Sequence, residues 1–334
     1  MSTDSNTITD IAAAEATAGS RHLVDPALLE LLQGFAPVEL TEAVLSLVRA
    51  NEFPLPRDPD IDVTTTMTTL HVPGHAGTPD VPLTVYRPAG NRKRLPCLYH
   101  IHGGGYVAGS AHGAEPIMRP LALQLECVVV SVDYRLAPET RFPGAIEDCY
   151  AGLQWVFANA GELGIDPSRI GVTGESAGGG LAAALALLAR DRAQLRLSFQ
   201  HLIYPMIDDR TCTRSDPHPY TGEFVWTHQN NAFGWQALLG VPPGGDGVSP
   251  YAAAARATDL SNLPPTYIST ATLDLFLEEN LDYARRLTRA GVPVELHVYP
   301  GAYHGFDFFA QAPVSLAARR TSFEALRRAL HPAR

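Results

Sequence analysis

The sequence predicts an α/β protein whose central sheet is mostly parallel. Short apolar runs, typical of strands buried on both faces, recur along the chain, and helical patterns lie between most of them. Strands that alternate with helices in this way form parallel sheets with right-handed crossovers. The apolar runs are Cys97–Ile101, Val128–Val132, Ile170–Thr173, Phe199–Tyr204, Thr266–Ser269 and Val294–Val298, and the helical patterns are Met118–Leu125, Ala145–Asn159, Leu181–Arg190 and Glu278–Ala290.

The N-terminal part of the chain has a different pattern. Apolar residues recur at helical spacing between Val24 and Phe53, and Pro37 divides them into two amphipathic helices. Residues 64–72 and 81–87 then alternate between apolar and polar, as antiparallel edge strands do. We therefore expect N-terminal cap helices within residues 1–60 and the domain that carries the sheet over residues 61–334.

One segment interrupts the alternation of strands and helices. Residues 205–250 contain clusters of Asp, Pro, Thr and Gly around an aromatic patch. Long insertions of this kind usually form lids or pocket walls, so a cap insertion is expected here.

Composition restricts the classes of function. The formal charge of −10 and the pI near 5.6 argue against a nucleic-acid partner. The first residues lack the basic and apolar regions of a signal peptide, and no apolar run is long enough to span a bilayer, so a cytoplasmic location is expected. The four cysteines have no metal-site spacing and are expected to be reduced, small apolar residues.

A candidate nucleophile lies in the motif Gly174-Glu175-Ser176-Ala177-Gly178. The motif follows a predicted strand and precedes an Ala/Leu-rich helix. A serine on such a tight turn needs small residues two places to either side, and the helix N-terminus favours negative charge near it. A glycine-rich turn without chemistry is the alternative, but the strand before and the helix after favour a nucleophile.

The glycine loop His102-Gly103-Gly104-Gly105 directly follows the strand Cys97–Ile101. Consecutive glycines let backbone N–H groups converge on one oxyanion, and the N–H group of Ala177 is expected to join them. A phosphate-binding loop is disfavoured because the Lys and Ser/Thr of that motif are absent. His102 is interpreted as an organiser of this loop, since it lies one strand too early for the base.

The base and its orienting acid are expected at the ends of later strands. Among twelve histidines, His304 is the one in a loop just after the predicted strand Val294–Val298. Asp274 follows the strand Thr266–Ser269, which gives the order Ser, Asp, His along the chain. Glu278 and Glu279 are the nearest rivals to Asp274, but their place one turn into an amphipathic helix suggests solvated side chains.

These motifs together resemble the bacterial branch of the hormone-sensitive lipase-like esterases, a subgroup of the α/β-hydrolases. The resemblance extends over roughly residues 70–325. It rests on His102-Gly103-Gly104-Gly105-Tyr106, Asp133-Tyr134-Arg135-Leu136-Ala137-Pro138-Glu139, Phe142-Pro143, Gly174-Glu175-Ser176-Ala177-Gly178-Gly179 and Tyr303-His304-Gly305-Phe306. Two positions depart from the commoner pattern: Leu275 follows the acid without the proline of Asp-Pro-Leu, and Glu175 replaces an aspartate.

The resemblance implies an α/β-hydrolase fold and a cofactor-free serine carboxylesterase acting on short- to medium-chain acyl esters. It implies oxyanion donors at Gly104, Gly105 and Ala177, with Gly103 shaping the loop. It also implies a cap over an acyl pocket, and a possible homodimer through the last strand. Plausible pocket residues are Tyr106, Phe35, Tyr204, Met206 and Phe306.

Alternatives remain open. An amidase or a carbamate hydrolase would use the same three residues, and the sequence does not separate them from an esterase. A non-catalytic receptor, like the plant gibberellin receptors of this fold, is disfavoured because those receptors lack a working histidine, whereas His304 is present.

Overall fold

The computed structural model describes residues 19–32, 38–51, 60–91 and 93–332. They form one eight-stranded sheet with helices on both faces, so the predicted α/β-hydrolase fold is confirmed. The strands are β1 Thr65–Val72, β2 Val81–Pro88, β3 Leu95–Ile101, β4 Val128–Val132, β5 Ile165–Glu175, β6 Gln200–Ile203, β7 Thr266–Ala271 and β8 Val294–Tyr299.

The sheet has the strand order β1-β2-β4-β3-β5-β6-β7-β8. β1 pairs with β2, and β2 with β4, in antiparallel register, and the remaining neighbours are parallel. The predicted antiparallel edge is therefore present. The carboxyl ends of β3, β5, β7 and β8 meet at one edge of the sheet, and the loops that follow them carry the candidate site.

Nine α-helices lie in the described ranges. They are α1 Pro26–Leu32, α2 Leu45–Ala50, α3 Ile61–Thr64, α4 Glu115–Gln124, α5 Gly144–Ala158, α6 Ala177–Arg192, α7 His228–Leu239, α8 Leu277–Arg289 and α9 Pro313–Leu330. Short 3-10 helices span Ser20–Leu23, Glu42–Val44, His75–Gly77, Thr211–Thr213, Ala254–Arg256 and Phe306–Phe308. The sequence pattern did not assign α7 or α9.

Helix α6 packs in the interior of the molecule. It is rich in Ala and Gly, and every residue from Ala177 to Ala189 is buried. These small side chains let the helix pack close to its surroundings: a Cβ atom on Gly180 would lie only 2.0 Å from the carbonyl oxygen of Met206. The N-terminus of α6 is thereby held rigidly beneath the site.

The N-terminal segments pack on the loops at the carboxyl edge. The N–H group of Asp25 donates to the carbonyl oxygen of Gly301 at 2.9 Å, and the Tyr303 hydroxyl donates to that of Leu28 at 3.3 Å. Asn230 of α7 accepts a hydrogen bond from the N–H group of Leu40, so the N-terminal part also contacts residues 205–250. The division into a cap and a catalytic domain stays a prediction.

Strand β8 lies at the edge of the sheet. Leu296 and Val298 expose 37% and 39% of their surface there, so this edge strand, which pairs only with β7 among the described strands, carries an apolar strip. Pairing of two copies through this strand stays a prediction.

Two other expectations concern the cysteines and membrane-spanning helices. All four cysteines are free. Within the described ranges, no helix is both long and apolar enough to cross a bilayer.

Candidate active site

Ser176 lies on a tight turn between β5 and α6. Its backbone has φ 56° and ψ −123°, a conformation that residues with a side chain rarely adopt. The flanking glycines make this turn possible: a Cβ atom on Gly174 would lie 2.3 Å from the carbonyl oxygen of Gly178, and one on Gly178 would lie 2.0 Å from that of Ile101. Both positions therefore exclude any larger residue, for the reason that the sequence motif suggested.

The structure brings Ser176, His304 and Asp274 together in one hydrogen-bonded row. The Oγ atom of Ser176 is 2.9 Å from Nε2 of His304, and Nδ1 of His304 is 2.9 Å from Oδ2 of Asp274. Asp274 is fully buried, and its second oxygen accepts the N–H group of Phe276 at 2.9 Å. A carboxylate at Nδ1 holds the hydrogen there and leaves Nε2 as the acceptor for the serine proton.

The rival acids Glu278 and Glu279 occupy two different environments. Glu278 is exposed and pairs with Arg214 at 2.9 Å, as expected for a solvated helix residue. The expectation is wrong for Glu279, which is 2% exposed. Its Oε1 atom accepts the N–H groups of Ile207 and Asp208 at 2.7 and 3.2 Å, and burial raises its pKa well above the usual range. Glu279 thus anchors the chain as it leaves β6.

The glycine loop after β3 has a backbone that only glycine tolerates well. Gly104 has φ 112°, and a Cβ atom there would lie 2.1 Å from the carbonyl oxygen of Ala108. Gly105 has φ 61°. The N–H groups of Gly104, Gly105 and Ala177 donate to no other residue of the described part of the chain. All three predicted donors are therefore free to bind an oxygen.

His102 holds the base of this loop. Its Nδ1 atom is 2.8 Å from the carbonyl oxygen of Gly103, and its ring stacks on Tyr134 with 4.2 Å between centroids. The Tyr134 hydroxyl donates to the carbonyl oxygen of His102 at 3.0 Å. Burial lowers the pKa of His102, so the ring is neutral at neutral pH and acts as a fixed brace.

Glu175 links the nucleophile turn to the glycine loop, a contact that the motif alone did not reveal. Its Oε1 atom accepts the N–H group of Gly103 at 2.8 Å. Its Oε2 atom lies 3.2 Å from Nε2 of His100, whose Nδ1 atom is 2.7 Å from Oγ of Ser131. Burial alone would raise the pKa of Glu175, but the contacts with His100 and with the N–H group of Gly103 lower it below its usual value. Glu175 therefore fixes the first peptide of the loop relative to Ser176.

With this geometry in place, comparisons with known proteins identify the family. A protein-family model with the description alpha/beta hydrolase fold matches residues 98–308 of this chain. Carboxylesterase NlhH of Mycobacterium tuberculosis is 38% identical over 310 residues, which cover 92% of this chain and 97% of that protein. The chain belongs to the α/β-hydrolases.

The family match and the similar proteins together place the chain in the hormone-sensitive lipase-like esterase branch. A bacterial heroin esterase is 40% identical with a TM-score of 0.84, and the match covers 93% of this chain and 99% of that one. Esterase LipW from Mycobacterium marinum is 31% identical with a TM-score of 0.79, and the match covers 94% of this chain and 98% of that one.

Three aromatic rings surround His304 in this hydrolase. Tyr204 and Phe276 meet the imidazole edge-on, with centroids 4.7 and 5.1 Å away, and Trp226 lies at 6.2 Å. The Tyr204 hydroxyl donates to Asp307 at 2.7 Å, which keeps that ring in place. Trp226 belongs to the aromatic patch noted in residues 205–250, but only the fold shows that it and Phe276 approach His304.

The other residues that the sequence suggested for the pocket contact other groups of the protein. Tyr106 is buried, and its hydroxyl donates to the carbonyl oxygen of Met206 at 2.9 Å. The N–H group of Met206 donates to the carbonyl oxygen of Ser176 at 2.9 Å, so both residues support the nucleophile turn. Phe306 packs on Tyr299 in a separate cluster. Phe35 lies outside the described residues.

Proposed function

We propose that this hydrolase is a serine carboxylesterase that acts on short- to medium-chain acyl esters through Ser176, His304 and Asp274. The observation that carries the proposal is the unbroken row of hydrogen bonds from Ser176 through His304 to Asp274. It is supported by the N–H groups of Gly104, Gly105 and Ala177, which donate to no group in the described ranges. Esterase activity itself is further supported by the relatives, which are named as carboxylesterases and esterases.

In the first half of the reaction, the hydroxyl of Ser176 attacks the ester carbonyl carbon while Nε2 of His304 takes the hydroxyl proton. The buried Asp274 carboxylate stabilises the imidazolium that forms. The carbonyl oxygen becomes an oxyanion, and the N–H groups of Gly104, Gly105 and Ala177 hold it. Each such donor accounts for about 10²–10³ in kcat in other serine hydrolases.

In the second half, His304 gives its proton to the leaving alcohol as the carbon–oxygen bond of the ester breaks. The acyl group is then bonded to Ser176. A water molecule transfers a proton to His304 and attacks the acyl carbon, and the acid leaves as Ser176 recovers its proton. The protein contributes fixed donors and a fixed base, so the reaction requires no cofactor.

Labelling and mutation of Ser176 test the proposal. A fluorophosphonate is expected to label the wild-type protein at Ser176 and to leave Ser176→Ala unlabelled, since it reacts with an activated serine. A chain-length series of p-nitrophenyl esters, with matched anilides and carbamates beside it, then defines the substrate. Absence of labelling in the folded wild type would favour a receptor, and faster turnover of anilides or carbamates would favour the alternative hydrolases.

A further inference from the structure

Trp226 adjoins both halves of the proposed catalytic apparatus. Its Cη2 atom fills the space beside Gly105, where a Cβ atom would come within 2.1 Å of it, and its ring lies 6.2 Å from that of His304. The side chain is buried, with 9% of its surface exposed, and belongs to the same hydrophobic core cluster as Trp235. Trp226 is therefore a core residue whose ring borders both the glycine loop and His304.

The indole is held in a fixed orientation. Its Nε1–H group donates to Oδ1 of Asn231 at 3.2 Å, and Asn231 is fully buried on α7. Thr227 caps α7 by accepting the N–H group of Asn230 at 3.2 Å, so the residue after the indole is anchored too.

The backbone before Trp226 is strained and tied down. Val225 has φ 61°, which is unfavourable for a β-branched residue. Gly222 donates its N–H group to the carbonyl oxygen of Leu273 at 3.2 Å, and Glu223 accepts the Ser20 hydroxyl at 2.7 Å. Together with the bonds of Trp226 and Thr227 after Val225, these contacts before it keep the segment in the conformation that places the indole over Gly105.

The proposed reaction fixes which part of an ester meets this ring. The carbonyl oxygen binds at the N–H group of Gly105, and the alcohol oxygen lies near Nε2 of His304 because it is protonated there. The alcohol group therefore leaves the reacting carbon between these two points, and the ring of Trp226 lies against Gly105 and near His304. Aromatic groups pack on an indole face or edge with a geometric preference that saturated rings lack.

We propose that Trp226 is a specificity-determining residue that receives the alcohol group of the ester and favours esters of flat, aromatic alcohols. This inference rests on the proposed function, which supplies the positions of the two ester oxygens. It makes aryl esters the preferred substrate class, with the acyl group directed away from the indole.

The test compares phenyl acetate with cyclohexyl acetate, which differ in the flatness of the alcohol and share one acyl group. The difference in intrinsic reactivity between the two esters is the same for every variant. A change in the ratio of their kcat/KM values from wild type to variant therefore reports a change in the enzyme's preference. In Trp226→Leu this ratio is expected to fall about two- to tenfold, the range typical of an aromatic pair. Trp226→Phe keeps an aromatic ring and is expected to retain most of the ratio, and Trp155→Phe on α5 is the matched control.

Two results would overturn the proposal. One is a ratio in Trp226→Leu equal to that of the wild type. The other is a change in kcat/KM that depends only on the acyl length in a series from phenyl acetate to phenyl octanoate. That result would assign Trp226 to the acyl side. If Trp226→Leu fails to fold, Trp226→Met replaces it with the same acetate pair, and a phenyl-to-cyclohexyl ratio equal to that of the wild type is again the overturning result.

A binding measurement separates this inference from the proposed function. Calorimetry of 1-naphthyl acetate with Ser176→Ala, with and without Trp226→Leu, reports packing on the indole without turnover. Weaker binding in the double variant supports the role of Trp226, and equal binding contradicts it. Turnover retained by Ser176→Ala would instead refute the nucleophile.

Discussion

A serine, an imidazole and a carboxylate are hydrogen-bonded in a row at two places in this molecule. One row runs from Ser176 through His304 to its aspartate. The other runs from Ser131 through His100 to Glu175, with distances of 2.7 and 3.2 Å. Both imidazoles are buried, and each contacts a serine through one nitrogen and a carboxylate through the other.

The two rows differ in their backbone and in their access to substrate. Ser131 lies within β4, directly opposite His100 in the register of β3, and both are fully buried. Ser176 instead lies at the end of a strand, in a strained turn at the N-terminus of α6 and beside three unpaired N–H groups. From this comparison we expect the proposed reaction to depend on the turn and the oxyanion donors as well as on the three side chains.

The serines give the largest expected contrast. Ser176→Ala is expected to reduce kcat by about 10⁶, because the nucleophile is lost while the fold remains. Ser131→Ala is expected to keep turnover within about tenfold of wild type, since it touches the reaction only through His100 and Glu175. Initial rates on a p-nitrophenyl ester measure both, and comparable losses in the two folded variants would contradict the distinction.

The carboxylate of the first row has the next largest expected effect. Asp274→Asn preserves the shape of the site but favours the imidazole tautomer whose Nε2 carries the hydrogen. We expect kcat to fall by about 10⁴, as in other serine hydrolases with this change. Asp208→Asn is a suitable control, because Asp208 is also buried but pairs with Arg210 away from the row. Retention of kcat in Asp274→Asn would assign the orienting role elsewhere.

Glu175 is expected to have a smaller effect on catalysis, because it acts through the glycine loop. Glu175→Ala removes the acceptor of the Gly103 N–H group and should lower kcat about 10- to 100-fold with little change in KM, since the oxyanion donors lose their alignment. Glu175→Gln can still accept that N–H group and should recover most of the loss. Steady-state kinetics of the two variants provide the test, and equal kcat losses in both would show that the charge matters instead of the bond.

His201 is a further buried imidazole, and hydroxyl groups instead of a carboxylate lie at its two ring nitrogens. His201 lies between the hydroxyls of Thr173 and Ser322, at 2.9 and 3.0 Å, and burial lowers its pKa to about 3. The unfolded chain takes up a proton on this residue below about pH 6.5, whereas the folded chain does not until about pH 3. The neutral ring therefore contributes fully to stability above pH 6.5, and on the order of 4 kcal/mol is lost as the pH falls to about 3.

Urea unfolding at pH 7.5, 5.5 and 4.5 checks this linkage. His201→Gln can bond both hydroxyls but cannot titrate, so its free energy of unfolding should fall less steeply with acidification than that of the wild type. Parallel curves for the two proteins would contradict the assignment, and the catalytic rate at pH 7.5 should be nearly unchanged.

Local patterns were enough to predict the strands and the residues at their ends. The alternation of apolar runs and helical stretches marks β3 to β8, and the glycine spacing marks the turn at Ser176, because these signals depend on near neighbours in sequence. The fold places Asp274 and His304 together because both follow adjacent parallel strands.

Long-range contacts could not be predicted in the same way. Glu279 looks like Glu278 in sequence, but the phase of α8 turns it inward onto the chain after β6. His100 reads as an ordinary strand residue until the register of β3 and β4 sets it beside Ser131. Trp226 lies 50 residues after the nucleophile in an irregular segment, so only the folded chain shows that it reaches Gly105.

The contacts of the N-terminal segment have a consequence for synthesis of the protein. Ser20 bonds Glu223, 203 residues later, and Leu28 accepts a hydrogen bond from Tyr303, 275 residues later. Because a ribosome produces the N-terminus first, Ser20 can bond Glu223 only after 203 further residues have been added, and Leu28 can bond Tyr303 only after 275. His304 follows Ser176 by 128 residues, so a nascent chain holds the proposed nucleophile well before it holds the proposed base.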